Sequence, residues 1–353
     1  MRIVITGASG NVGSAVVRRL AADGDHDLVG VVRRPPEPSG SFAGVEWASV
    51  DLTRDDQALA DAFHGADAVV HLAWGFQPSH REAYLEELGV GGTRRVLEAA
   101  TATGVRHLVH MSSVGAYSPK RDDEPVDESW PTGGVRTSMY SRHKSAAERL
   151  LDEVEGGWSE LVVTRMRPGI VGQRSAGSAL MRYGLPAVVP RAALYHVPVL
   201  PLDRHLAIPM VHADDVADAV ARALEGRVPG AFNLTATPAV TADLVAVALG
   251  ARRVHVPSAV LRAAVSSSWH ARLQPLDPGW IDMAFAVPLL DSSRAGSELG
   301  WSPSHDAVSV LDETIQGMQE GAFGRSPVLR PRTVVASLAR AVRTGPVSSR
   351  RAP

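Results

Sequence analysis

The chain of 353 residues contains no cysteine. Disulfides, a thiolate nucleophile and cysteine-ligated zinc are therefore excluded, and the composition agrees with a reducing cytoplasm. Charge of one sign is also missing: 36 Lys and Arg stand against 38 Asp and Glu. A formal net charge of -2 leaves no overall basic field to draw in nucleic acid. No uninterrupted apolar run approaches the roughly 18 residues of a membrane span. The N-terminus, "MRIVITGASGNVG", passes from a short apolar run straight into glycines. It lacks the long apolar region and cleavage site of a signal peptide. These absences lead to the expectation of a soluble cytoplasmic protein acting on a small molecule, with no nucleic acid and no membrane as partner.

What is present is alternation. "RIVIT", "HDLVGVVRR", "ADAVVHLA", "VRHLVHMSS" and "LVVTRMR" read as strands, separated by helical patterns such as "NVGSAVVRRLAADG", "REAYLEELGVGGTRRVLEAATATG" and a helix from about Ser138. That rhythm predicts an α/β fold, a doubly wound parallel sheet of Rossmann type covered on both faces. Beyond Pro168 the rhythm breaks, and residues 173–210 are rich in Pro, Tyr and Arg without a clear period. "VHADDVADAVARALEG", "TADLVAVALG" and "SHDAVSVLDETIQGMQEG" then return as helices. The expected division is a nucleotide-binding domain of residues 1–172 plus 211–235, and a smaller C-terminal substrate domain of residues 173–210 plus 236–325. Residues 326–353 are expected to be a basic, flexible tail, because seven arginines and no acid follow Gly321. Within it "TVVASLARAVR" reads as a short amphipathic helix.

The first strand runs into Gly7, Gly10, Asn11, Val12 and Gly13 and then into a helix. Glycines in that position permit a tight turn and close backbone approach, and the helix N-terminus presents free N–H groups and a positive dipole end to a pyrophosphate. The spacing, G-x-x-G-x-x-G, is one residue longer than the usual Rossmann spacing. The second strand ends in Arg33 and Arg34 where an acid would hold an adenosine ribose. A guanidinium suits a 2′-phosphate, so NADP is expected ahead of NAD. Asp51, after "VEWASV", is placed to reach the adenine edge.

Together these segments resemble the extended short-chain dehydrogenase/reductase family, the group that includes sugar-nucleotide epimerases and many carbonyl reductases. "TGASGNVG" is similar to its cofactor loop, "DLT" with Asp51 and Leu52 to its adenine segment, and "VVHLAW" with Leu72, Ala73 and Trp74 to the strand beside the nicotinamide. "MSSVGAY" resembles the strand with the catalytic serine, "YSRHK" the Tyr/Lys element, and "RPGIVG" with Pro168, Gly169, Ile170 and Val171 the loop that meets the carboxamide. "VHADDVADA" and "DSSRAGSELGWSP" follow in the family's order. The resemblance implies Ser113, Tyr140 and Lys144 as catalytic residues, with Lys144 also holding the nicotinamide ribose, and a homodimer. Tyr140 and Lys144, at i and i+4, fall on one helix face, so the ammonium is expected to favour the ionised phenol. Tyr140 is then the general acid/base while hydride moves to or from the nicotinamide.

Two positions depart from the family pattern. Gly89 stands where an asparagine is usual, and Trp74 where a small residue is usual. Trp74 argues for an apolar or planar substrate in a narrowed pocket. Trp74, Phe76, Ser112, Trp130 and Tyr183 are the candidate substrate contacts, with residues 121–131 over the mouth of the site. "VGAY" after Ser113 lacks the Asp-Glu pair of sugar-nucleotide dehydratases. A sugar nucleotide would need a diphosphate clamp, for which Arg174, Arg182, Arg191 and Arg204 are candidates. His212, Asp214 and Asp215 are spaced against a metal site, and none is expected. The leading expectation is an NAD(P)-dependent oxidoreductase working on a carbonyl or alcohol. The alternatives are an epimerase that retains its cofactor and a non-catalytic NADP sensor.

Overall fold

The computed structural model describes residues 1–76, 80–157, 160–186 and 189–333. The first half supplies strands β1 (Arg2–Thr6), β2 (Asp27–Val32), β3 (Glu46–Ser49), β4 (Ala68–His71), β5 (His107–Met111) and β6 (Val162–Pro168). The second half adds β7 (Ile170–Gly172), β8 (Val199–Leu202), β9 (Ala207–His212), β10 (Gly230–Leu234), β11 (Ala236–Thr241) and β12 (Arg252–His255). A seven-stranded sheet runs in the order β10-β6-β5-β4-β1-β2-β3. Every adjacent pair in it is parallel.

Helices α1 (Asn11–Asp23), α2 (Asp56–Phe63), α3 (Glu82–Glu86), α4 (Gly92–Ala102) and α5 (Met139–Gly156) belong to this half, followed by α6 (Gly177–Gly184) and α7 (Ala213–Gly226). Successive strand residues face opposite cores: Ile3, Ile5 and Val70 pack with Val16 and Leu20 of α1 and Val216 and Val220 of α7. Val4, Val69 and Leu108 pack with Leu59, Val96 and Leu151 from α2, α4 and α5. A strand buried on both faces needs apolar residues without alternation, which is why the continuous runs in the sequence mark strands. The strand order reverses between β1 and β4, so the crevice beyond their C-terminal ends is where an α/β sheet takes a ligand.

The remaining elements, α8 (Ala242–Ala248), α9 (Ser258–His270), α10 (Pro278–Ala286), α11 (Ser293–Leu299) and α12 (Ala307–Glu320), mostly surround two small sheets, β11-β9-β7 and β12-β8. Strand β7 pairs with β9 outside the main sheet, while Gly169, just before it, still donates its amide to the Leu234 carbonyl of β10. Residues 326–333, expected in a flexible tail, are also packed: Ser326 and Leu329 are buried. The helix expected in "TVVASLARAVR" lies outside the described residues, apart from Thr333. Among the described residues, no helix is long and apolar enough to cross a membrane.

Candidate active site

The glycine loop sits at the reversal of strand order. Gly7 has φ 73°, and a Cβ there would lie 2.7 Å from the Ala73 nitrogen. A Cβ on Gly13 would lie 2.2 Å from the Gly7 carbonyl oxygen, whereas one on Gly10 would meet that oxygen at 3.2 Å. Gly7 and Gly13 thus close the turn onto β4 and α1. The N-terminus of α1 has no side-chain cap and no acid in its first turn, leaving its first amides to an anion. Asn11 donates Nδ2 to the Val171 carbonyl at 3.1 Å, and Gln173 donates to the Asn11 side-chain oxygen at 2.7 Å. The loop and residues 170–173 are therefore tied together, as are the loop and the C-terminal segment, where Ser326 donates to the Ser9 carbonyl at 2.7 Å. At the end of β2, Arg33 donates to the Tyr84 hydroxyl at 2.6 Å, and Arg34 is exposed. Asp51 accepts from the Thr53 amide and hydroxyl at 3.1 and 2.8 Å, which fixes the turn after β3. Leu52 is buried in the core on the α2, α4 and α5 side, and Leu72 packs against the core on the opposite face.

Across the crevice the end of β5 meets the start of α5. Ser138 caps α5, and the Ser141 hydroxyl donates to the Gly115 carbonyl at 2.5 Å. This pins Tyr140 against the turn that Ser113 itself caps by accepting from the Gly115 amide at 3.0 Å. A Cβ on Gly115 would lie 2.9 Å from Tyr140 Cε1 and 3.1 Å from Met283 Sδ, so glycine lets the phenol and the thioether approach. Burial pushes the Tyr140 phenol up to about 12, against a hydrogen bond with Ser113 that pulls it down.

Lys144 is buried; it donates to the Met111 carbonyl at 2.7 Å and lies 3.5 Å above the Trp74 ring. Burial lowers it to about 7, with Glu148 acting the other way. The Lys144 nitrogen is 6.0 Å from the Tyr140 ring centre, and burial dominates the phenol, which is raised rather than lowered. The indole of Trp74 lies over Gly89, where a Cβ would sit 3.0 Å from Cζ2. Gly89 belongs to a π-helical turn, Glu87–Gly91, inserted between α3 and α4.

Four rings gather about the phenol. Phe76 meets Tyr140, Tyr183 and Trp280 edge-on at 5.9, 6.0 and 5.0 Å between centroids. Trp280 lies 5.0 Å from Tyr140, and Trp74 meets it edge-on at 6.3 Å. Trp74, Phe76 and Tyr183 are thus brought together, but two other expected substrate contacts are not. Ser112 is buried and donates to Glu148 at 2.5 Å, inside an ion-pair network with Arg165 and Arg167. Trp130 donates to the Ser118 carbonyl at 3.1 Å and packs on the cluster of Val114, Tyr117, Val287 and Leu290. Sequence reasoning missed Trp280 and Met283, both on α10, and the stacking of His80 on Trp269 at 3.7 Å. No spacing links them to Tyr140; only the long-range packing of α10 on α5 does.

The candidate clamp is dispersed. Arg174 pairs with Glu320, Arg182 donates to the Val328 and Arg330 carbonyls, and Arg191 donates to the Glu320 carbonyl. Arg204 lies beside His205 and His255. In "HADD", His212 caps α7 and Asp215 binds Ser304 and His305. Among the described residues, no group of three metal-ligating side chains converges.

Residues 3–235 match the family model described as the NAD dependent epimerase/dehydratase family. An uncharacterized protein of Mycobacterium tuberculosis is 27% identical over 318 residues, covering 89% of this chain and 29% of that protein. L-arabinose 1-dehydrogenase (NAD(P)(+)) of Haloferax volcanii is 40% identical over 112 residues, 32% of this chain and 41% of that enzyme. The chain thus spans less than half the length of these curated relatives. Among solved structures, the UDP-glucose 4-epimerase of Thermus thermophilus in complex with NAD superposes with a TM-score of 0.67 at 25% identity, covering 91% of this chain and all of that one.

Proposed function

The chain belongs to the NAD dependent epimerase/dehydratase family, and from that membership we propose that it is an NADP-preferring oxidoreductase acting on the carbonyl or alcohol of a small organic molecule, with Tyr140 as general acid/base. The observation that carries this reading is the convergence of Tyr140 and Ser113 on the crevice opposite a glycine loop whose helix end is uncapped. The residues present fit a dinucleotide. Gly7, Gly10 and Gly13 with the first amides of α1 would hold its pyrophosphate, Asp51 its adenine side, and Pro168, Gly169, Ile170 and Val171 its nicotinamide end. Arg33, steadied by Tyr84, supports a 2′-phosphate and hence NADP.

When bound, a nicotinamide coenzyme supplies or accepts the hydride. A phenol raised to about 12 stays protonated at neutral pH, so Tyr140 is ready to give its proton to a carbonyl oxygen. Ser113 orients that oxygen, and Lys144, near 7 at Met111, adds a charge that varies across the neutral range. This favours reduction at neutrality and oxidation at higher pH.

The test measures NADPH and NADH binding by fluorescence titration and turnover of carbonyl and alcohol panels, for the wild type and Tyr140→Phe. Tighter NADPH than NADH binding, and a Tyr140→Phe variant with coenzyme affinity intact but kcat reduced by about a hundredfold or more, are expected. Undiminished activity in Tyr140→Phe would remove Tyr140 as the general acid/base, and a wild type that binds coenzyme but turns over no member of either panel would leave a coenzyme sensor. Product formed with no net change of coenzyme would replace the reading with an epimerase.

A further inference from the structure

The rings around Tyr140 narrow the substrate class. Phe76 stands at the mouth, 43% exposed, with its edge toward Tyr140, Tyr183 and Trp280. Trp280 and Tyr140 are inclined to each other by 32°. Edge-to-face and offset contacts of this kind are the arrangements aromatic rings prefer, and a further flat ring placed among them gains the same contacts. An exposed phenylalanine beside a reactive phenol also leaves apolar surface that a ligand can cover. On the inner side Trp74 lies under the Lys144 ammonium, so the cation is covered by an indole face rather than turned toward an anionic substrate.

The charge distribution agrees. Arg174, Arg182 and Arg191, three of the four candidate cations for a nucleotide diphosphate in the insertion, are engaged with α12 and the segment after it, and the fourth, Arg204, lies beside His205 and His255.

We propose that the site takes an aryl aldehyde or ketone, or the matching aryl carbinol, with its ring among Phe76, Tyr183 and Trp280 and its oxygen at Tyr140. This rests on the oxidoreductase reading above and deepens it. In the reducing direction the carbonyl carbon gains a hydride and its oxygen gains the Tyr140 proton, while the reduced nicotinamide coenzyme is oxidised by two electrons. The phenolate is reprotonated from solvent.

The experiment compares benzaldehyde with cyclohexanecarbaldehyde, which has the same carbon skeleton without the aromatic ring, and with UDP-glucose, in the full chain supplied with NADPH or NADH. Benzaldehyde is expected to have a kcat/KM about tenfold above that of the saturated aldehyde, the scale of one or two aromatic contacts. That ratio is expected to shrink toward unity in Trp280→Leu and, as a second variant at an exposed position, in Phe76→Leu. A readout independent of turnover is calorimetric titration of the coenzyme-loaded protein with benzamide and cyclohexanecarboxamide, where the aryl amide is expected to bind more tightly and to lose that advantage in both variants.

Equal efficiencies for the two aldehydes, or a preference that survives both substitutions, overturn the aryl assignment while leaving the oxidoreductase standing. Epimerisation of UDP-glucose with no aldehyde reduced overturns both. A protein that neither reduces benzaldehyde nor binds benzamide also overturns the aryl assignment.

Discussion

At the residue scale, Trp74 and Gly89 form one unit. The indole atoms Cζ2, Cη2 and Cε2 lie 3.0, 3.1 and 3.2 Å from where a Cβ on Gly89 would stand, within the π-helical turn. Gly89→Asn is therefore expected to overpack the site and to destabilise the protein by about 1–3 kcal/mol. Combined with Trp74→Ala, which vacates the same volume, the substitution should be tolerated, giving a coupling of about 1 kcal/mol or more. Urea unfolding midpoints of the two single variants, the double variant and the wild type test this; additive effects would show that the two residues do not share a volume. Both departures from the family pattern were legible in the sequence one at a time. Their mutual contact was not, because they lie on different elements, and only the tertiary approach of the chain after β4 to the helix around Gly89 reveals that one compensates the other.

At the scale of elements, the stretch from Ala322 to Thr333 works as a strap. The Ser178 amide donates to the Ala322 carbonyl at 2.8 Å, Leu329 packs against Ala176 and Ala179, and Arg332 donates to the Pro186 carbonyl at 2.6 Å. From this anchorage on α6, Ser326 reaches the Ser9 carbonyl within the glycine loop. The strap thus links the glycine loop to the helix that carries Tyr183. Ser326→Ala removes one buried hydrogen bond, about 1 kcal/mol, and is expected to weaken coenzyme binding about fivefold. A calorimetric titration giving the wild-type affinity would show that the loop holds its shape without the strap. The sequence concealed this element because arginines without acids read as a solvated tail, and two buried residues, Ser326 and Leu329, make no period. The strands were legible for the opposite reason: "IVI" of β1 and "AVV" of β4 are buried on both faces and so run apolar without alternation. The glycine loop was legible because its turn and close approaches admit no other residue at Gly7 and Gly13.

At the scale of the whole molecule, the main sheet buries titratable groups beneath the candidate active site, and they make its stability depend on acid. His71, His107 and His110 are buried on strands β4 and β5. Burial and the nearby Lys144 charge lower His71 to about 3, burial and Arg227 lower His107 to about 4, and burial, His71, Lys144 and Arg165 lower His110 well below its ordinary value. Each stays neutral when folded but takes a proton near pH 6.5 when unfolded, so the unfolded state binds more protons as pH falls below 6.5. Stability is therefore lost on acidification, by up to roughly 1.4 kcal/mol per pH unit for each histidine, until the folded group itself titrates. Glu148 acts in the same direction over a lower window. Burial raises its carboxyl, but the hydrogen bonds and charges of Arg167, Ser112 and Arg165 bring it to about 2. Its contribution is present above about pH 4.5 and disappears as pH falls toward 2. Urea midpoints measured from pH 7.5 to 5 should fall steadily. Among the described residues, neither ring nitrogen of His110 has a hydrogen-bond partner, so His110→Leu removes a proton acceptor of the unfolded chain without breaking a bond in the folded one. It is expected to flatten the decline between pH 6.5 and 5 by up to about one histidine's share, roughly 1.4 kcal/mol per unit. A wild type whose midpoint is constant over this range would mean that these histidines accept protons within the fold, and that the sheet beneath Tyr140 opens to water.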